Sequence, residues 1–201
     1  ADRIDRVRRF RASSTDKSAN QMAHTAYKFR EQKAALNSSL IVPTVTSERR
    51  EYIPMGFLDK ETVIVAPNNA IYDPAPHIFA VVSSRIHMVW VRTVSGKLET
   101  RIRYSSALCY NTFPMPQLTD RQKIELQDKT FEVLAAREQY YHKTIAELYD
   151  PDTMPSLLRK AHMDLDLAVE KCFRKKPFSD DEERLEFLFD LYEQITGGQN
   201  A

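Results

Sequence analysis

Hydrophobic and polar positions follow different periods in successive stretches of the chain, and each period predicts a different element. In the opening, Ile4, Val7 and Phe10 recur every third residue among Arg3, Arg6, Arg8, Arg9 and Arg11, which predicts a basic helix ended by Ser13-Ser14-Thr15-Asp16. From Leu40 the texture turns to β. Leu40-Ile41-Val42, Tyr52-Ile53-Pro54-Met55 before Gly56, and Thr62-Val63-Ile64-Val65 before the turn-like Pro67-Asn68-Asn69 predict short strands between polar turns. Between about 76 and 95, Phe79, Val82, Ile86, Val89, Trp90 and Val94 fall at spacings near three and four. One buried-face helix stopped at Gly96 is expected there. The segment Leu98 to Tyr104 then alternates with period two. It predicts a strand with Glu99, Arg101 and Arg103 on one face and Leu98, Ile102 and Tyr104 on the other.

Pro114 and Pro116 mark a boundary, after which the pattern is helical throughout. Thr119 with Gln122 forms a capping box that opens a helix to about Tyr141. Met154-Pro155 opens the next, with Leu158, Ala161, Leu165, Ala168 and Cys172 at helical spacing. Ser179 with Glu182 is expected to cap the last, with Leu185, Leu188, Phe189 and Tyr192 inward and Gly197 just past its end. The expected fold class is therefore α+β. A basic helical connector (1–39) leads into a small mixed-sheet domain with packed helices (40–116), followed by a C-terminal helical bundle (117–201).

Composition narrows the chemistry. The chain has 201 residues, enough for one large domain or two small ones, and is 42% hydrophobic and 28% charged, which argues for a folded protein over a disordered one. Its four glycines, Gly56, Gly96, Gly197 and Gly198, are not clustered as loops that cradle a phosphate or a methyl donor require. Nucleotide-dependent catalysis has no obvious seat here. Cys109 and Cys172 are too few for a disulfide framework and too far apart for a ligand pair, which predicts a reducing, cytoplasmic setting. No apolar run reaches membrane-spanning length and no signal-peptide pattern is visible, so no membrane partner is expected. Ala1 in the first position, where Met would stand, predicts a fragment or processed chain. The net charge of +1 conceals a polarity: residues 1–50 carry 11 basic and 5 acidic side chains, whereas 117–201 carry 12 and 18. A basic first part can face a polyanion.

No catalytic residue or metal ligand emerges. The five histidines, His24, His77, His87, His142 and His162, have no metal-ligand spacing, and no Pro-Pro pair supplies the motif of amino-group DNA methylation. Glu31-Gln32-Lys33 imitates part of a metal-dependent nuclease site but lacks the strand such a site needs. Ser83 and Ser84, four and three residues before His87, fit a nucleophile and base or an ordinary polar helix stripe. The Glu99, Arg101, Arg103 face fits a reader of a G·C pair, since Arg pairs with guanine O6 and N7 and Glu accepts from the cytosine amino group. It fits equally a solvated strand with alternating charges. Asn68 and Asn69 suit adenine or a turn. Glu48, Arg49, Arg50, Arg85, Arg92 and Lys97 are candidate phosphate contacts or solvated charges, and Trp90 reads as core.

These same segments resemble the target-recognition region of MmeI-like restriction-modification enzymes. The blocks are Thr46 to Phe57, Ser83 to Arg92, Gly96-Lys97-Leu98, Arg103-Tyr104-Ser105 and Tyr110 to Pro116. Leu148 to Pro155, with Ala161-His162, resembles the helical end of the same proteins. Arg85, Thr112 and Met115 depart from the residues common at their positions in the family. The resemblance implies a DNA-reading region of a polypeptide that also carries endonuclease and adenine methyltransferase domains. The double-stranded DNA and the methyltransferase domain of the same polypeptide would be its partners. S-adenosylmethionine and Mg would serve the parent enzyme, with no cofactor in this chain. Glu99, Arg101 and Arg103, then Asn68 and Asn69, would read bases. Glu48, Arg49, Arg50, Ser83, Ser84, Arg85, His87, Arg92 and Lys97 would contact or support the DNA backbone. The competing reading is a protein-interaction module that uses the acidic bundle.

Overall fold

A computed structural model describes residues 2–29 and 33–197; Glu31 of the nuclease-like tripeptide and Gly198 lie outside the described residues. The chain forms two compact units that meet in sequence between Ala35 and Leu36.

The first unit opens with helix α1 (Asp2–Ala12), whose Asp2 and Asp5 sit in the first turn and Arg9 and Arg11 in the last, in the sense that suits the helix dipole. The expected break follows at Ser13, and the Asp16 carboxylate then caps α2 (Lys17–Gln21) by accepting from the Ser18 and Ala19 N–H groups. The Arg11 guanidinium donates to the carbonyls of Met22, Thr25 and Lys28, which ties α1 to the 3-10 turn Ala23–Thr25. No α1 residue is buried.

The second unit holds two small antiparallel sheets. In the first, β1 (Ser38–Pro43) lies between β3 (Gly56–Asp59) and β4 (Asn68–Tyr72). In the second, β6 (Arg101–Arg103) lies between β2 (Val45–Thr46) and β5 (Gly96–Leu98). Asp73 starts the unit: its carboxylate accepts from the N–H groups of Leu36, Asn37 and Ser38, and these donors hold it below the usual carboxylate range. Thr44 joins the sheets. It follows β1 directly, its carbonyl accepts from the Tyr104 N–H at 2.7 Å, and its hydroxyl accepts from the Asn69 amide at 3.2 Å.

Several sequence expectations shift here. Tyr52–Met55 and Thr62–Val65 are irregular, and the strands fall one step later, at Gly56–Asp59 and at Asn68–Tyr72. Tyr52, Ile53 and Met55 are buried without a ladder, so their apolar character reports core contact. The single helix expected between 76 and 95 is two, α3 (Pro76–Ser83) and α4 (Arg85–Val94), broken at Ser84. The Ser84 backbone is extended at φ −76°, ψ 162°, and its hydroxyl accepts from the His87 N–H and donates to the Val81 carbonyl, closing one helix and capping the next. The strand expected over 98–104 is a hairpin that turns at Glu99, whose φ of 58° lies in the left-handed region.

The C-terminal helices are α5 (Asp120–Glu138), the short α6 (Ile145–Leu148), α7 (Ser156–Phe173) and α8 (Asp181–Gly197). The Thr119–Gln122 capping box is present, and α5 ends before Tyr141. The α8 cap moves by one residue: the Asp180 carboxylate accepts from the Glu183 N–H, while Glu183, in place of Glu182, accepts from Ser179. These helices share one core with the rest of the unit. Helix α5 packs on α3 and α7, α8 packs on α4, and a continuous apolar cluster runs from Leu40, Phe79 and Trp90 to Leu126, Leu165 and Leu188. Phe189 and Tyr192 of α8 lie against the Trp90 ring at 5.3 and 5.7 Å. No helix among the described residues is long and apolar enough to cross a membrane.

Candidate nucleic-acid interface

The second sheet separates a buried from an exposed face by the pleat alone. Ile102 and, two residues on, Tyr104 point into the core, with Thr46 beside Ile102 on the same side. Arg101 and Arg103 therefore point outward, and both are exposed. Their ladder partners, Leu98 beside Arg101 and Val45 with Gly96 beside Arg103, share that outer face. The two arginine Cα atoms are thus spaced about 7 Å apart along a strand, by the rise of two residues, on a platform anchored by a buried isoleucine. The side chains of Arg103 and Lys97 have no hydrogen-bond or ion-pair partner among the described residues.

Glu99 does not share the strand face expected for it, because the chain reverses there. It stands at the exposed hairpin tip and accepts a hydrogen bond from Arg101 Nη2 at 2.6 Å. Such an exposed pair is worth about 0–1 kcal/mol, so a ligand can open it cheaply. Asn68 begins β4 and is exposed, with its amide on the Val65 carbonyl; Asn69 is half-buried against Thr44. Thr44 precedes Val45, the ladder neighbour of Arg103. The fold thus brings Asn69 and Arg103, distant in sequence, to opposite sides of one two-residue joint.

The candidate backbone contacts divide into three groups. Lys97 is exposed at the edge strand, and Glu48 is half-buried in the turn after β2. Arg49, Arg50, Arg85 and Arg92 are already engaged. Arg49 Nη2 donates to both carboxylate oxygens of Asp152, at 2.6 and 2.9 Å, and Arg85 forms a two-pronged pair with Asp181 at 2.8 and 3.2 Å. Each carboxylate raises the pKa of its arginine. Arg50 donates to Thr46 Oγ1, and Arg92 to the Arg50 carbonyl. The third group, Ser83, Ser84 and His87, is buried, which corrects any expectation of surface contact and leaves the three as support within the fold. His87 Nε2 lies 3.1 Å from the Tyr104 hydroxyl, and burial pushes the ring pKa down to about 3, so it is neutral near pH 7. The nucleophile and base arrangement does not form: Ser84 Oγ is spent on backbone groups, and Ser83 Oγ has no partner among the described residues.

A buried polar stripe escaped the sequence reading. His162, Asp166 and Glu170 recur every fourth residue on α7 and are all buried. Asp166 accepts from the Tyr52 hydroxyl and from the Arg85 backbone N–H, each at 2.7 Å, while the Tyr52 ring stacks on His162 at 4.2 Å. Glu170 pairs with Arg184 of α8 at 2.7 Å. Beyond His162 the network continues to Tyr149 and to the buried Arg137, which also donates to the Met55 carbonyl. Because arginine only donates, the Tyr149 hydroxyl hydrogen points to His162 Nε2. The imidazole proton therefore sits on Nδ1, which has no partner. The spacing of four in α7 was the available signal; its apolar neighbours masked it.

Among the described residues no group of three His, Cys, Asp or Glu side chains is placed to hold a metal ion. Gly56, Gly96 and Gly197 stand apart from one another, and none adopts a positive φ.

The chain is similar to known proteins over almost its full length. It is 45% identical over 195 residues to DNA methyltransferase A of Bacillus subtilis, covering 97% of this chain and 22% of that protein. It superposes on the type IIL restriction-modification enzyme MmeI, solved in complex with DNA, with a TM-score of 0.90 and 39% identity, covering 96% of this chain and 26% of MmeI. The chain thus spans about a quarter of the length of these relatives. Residues 1–117 match the MmeI target recognition domain and residues 117–199 match the MmeI C-terminal domain, and the chain belongs to that family.

Proposed function

We propose that this chain reads the base sequence of duplex DNA through the outer face of its second sheet, as the recognition region of a longer adenine methyltransferase and endonuclease. The observation that carries the reading is the pair Arg101 and Arg103, presented side by side on β6 over the buried Ile102 in a chain of the target-recognition family. Beyond the two residues that β2 covers, the β5–β6 hairpin is a two-stranded ribbon, a shape that fits the major groove, where Arg pairs in two-pronged fashion with guanine O6 and N7. Glu99 at the tip would exchange Arg101 for a cytosine amino group. Asn69, across the Thr44 joint, would extend the contact to an adjacent base, and Lys97 would hold a phosphate. Holding this register would present the target adenine to a methyltransferase domain of the same polypeptide, which extracts the base from the stack for methylation. S-adenosylmethionine and Mg would act in those other domains.

Part of the acidic charge of the C-terminal region is spent within the chain and so is not offered to a protein partner. Asp152, Asp166 and Asp181 are directed at Arg49, Tyr52 and Arg85 of the chain itself. The test is a charge exchange, Glu99→Lys with Arg101→Asp, in the longer enzyme, followed by mapping of methylated sites. Preference is expected to change at a single base position, each good contact supplying about 1–3 kcal/mol of discrimination. An unchanged site would remove the pair from the reading set.

A further inference from the structure

The strands that bracket β6 trace back to one side chain on a C-terminal helix. Strand β2 pairs with β6 through Thr46 and Ile102, and six residues after Thr46 the chain reaches Tyr52, whose hydroxyl is held by Asp166 Oδ2. On the other side, β5 begins at Gly96, directly after the end of α4. The first N–H of α4, that of Arg85, is held by Asp166 Oδ1. Helix α4 is a ten-residue strut about 15 Å long. It also touches β6 from below, where His87 meets the Tyr104 hydroxyl one residue past Arg103.

Neither hold is slack. The Tyr52 ring is stacked on His162, one turn before Asp166, so α7 fixes both the plane and the tip of the side chain. The Arg85 N–H belongs to the positive end of α4, where a carboxylate is favoured by the oriented peptide dipoles. Arg92 of α4 donates to the Arg50 carbonyl, so the strut and the segment after β2 are also tied to each other. Pairs at the rim, Arg49 with Asp152, Arg159 with Glu51 and Arg85 with Asp181, repeat the link in more exposed form.

We propose that Asp166 is a positioning residue for base reading, setting the placement of Arg101 and Arg103 by fixing Tyr52 and the start of α4 together. The assignment rests on the reading of the second sheet given above. It gives the C-terminal domain a role in specificity that requires no contact of its own with DNA.

The test uses Tyr52→Phe, which keeps the ring on His162 and removes only the hydroxyl, and Asp166→Asn, which keeps an acceptor for the Arg85 N–H. The probe is a randomised duplex library from which the wild-type chain selects a preferred sequence. Discrimination is then the affinity ratio between that duplex and a scrambled one. Both variants should keep the wild-type melting profile to within a few degrees and the wild-type salt dependence on scrambled duplex. Tyr52→Phe should lose about tenfold in discrimination, and should lose nothing further when added to Arg101→Ala with Arg103→Ala, because coupled groups are non-additive. If folded Tyr52→Phe and Asp166→Asn both discriminate like wild type while Arg101→Ala does not, the positioning role is overturned and the reading of the sheet stands. If Arg101→Ala and Arg103→Ala also discriminate like wild type, the reading itself fails and the positioning role falls with it. A further loss when Tyr52→Phe is added to the variant lacking both arginines likewise overturns it.

Discussion

Asp166 is a carboxylate in a place that disfavours its charge. Burial, with Glu170 one turn away, pushes its pKa up to about 7 against the work of its two donors, the Arg85 N–H and the Tyr52 hydroxyl, and of the nearby Arg85 charge. A raised value means the folded chain holds a proton that the unfolded chain releases above about 4. Its stabilisation is therefore complete below about pH 4 and is lost as pH rises through about 7. Asp166→Asn removes this dependence. The stability of wild type relative to that variant, read by urea unfolding at a series of pH values, should fall between pH 4 and 7. A constant difference would mean that Asp166 titrates normally. His87 has the opposite sign: its depressed pKa favours the fold above about 6.5 and weakens it as the medium is acidified towards 3.

At the scale of elements, the break between α3 and α4 decides where the second sheet begins. A single helix through Ser84 would carry the chain elsewhere. Ser84→Ala leaves the His87 N–H without its acceptor in a buried cap and should cost about 1 kcal/mol, within the usual range of 0.5–2 for such caps. Urea unfolding measures it, and a loss below about 0.3 kcal/mol would mean the bend is imposed by packing alone. This break was hidden in the sequence because Val82, Ile86, Val89 and Trp90 keep a helical period across it. The capping box of α5, the basic α1 and the core role of Trp90 were legible, since each depends on contacts close in sequence or on a long period. The hairpin at Glu99 was not. Alternation between 98 and 104 describes two short strands as well as one long one, and a turn at a glutamate carries no glycine or asparagine to announce it. The site was legible as a set of types and positions. Arg101 and Arg103 do share a face, whereas the burial of Ser83, Ser84 and His87 depended on packing that no local pattern records.

For the whole second unit, the charge polarity along the chain becomes a spatial arrangement. Part of the acidic excess after residue 117 lies against arginines and a tyrosine of the segment that follows β2 and of the start of α4, through Asp152, Asp166 and Asp181. Arg101, Arg103 and Lys97 receive none of it. The outer face and edge of the second sheet thus keep three basic side chains that no C-terminal acid neutralises, as expected for a surface that meets a polyanion. The most direct measurement is selection from a randomised duplex library, at fixed low salt, by the wild-type chain and by Arg101→Ala with Arg103→Ala. Wild type is expected to enrich a defined sequence, and the double variant to bind duplex DNA still but to lose preference at adjacent positions of that sequence. Enrichment of the same sequence with the same strength by both proteins would contradict that expectation.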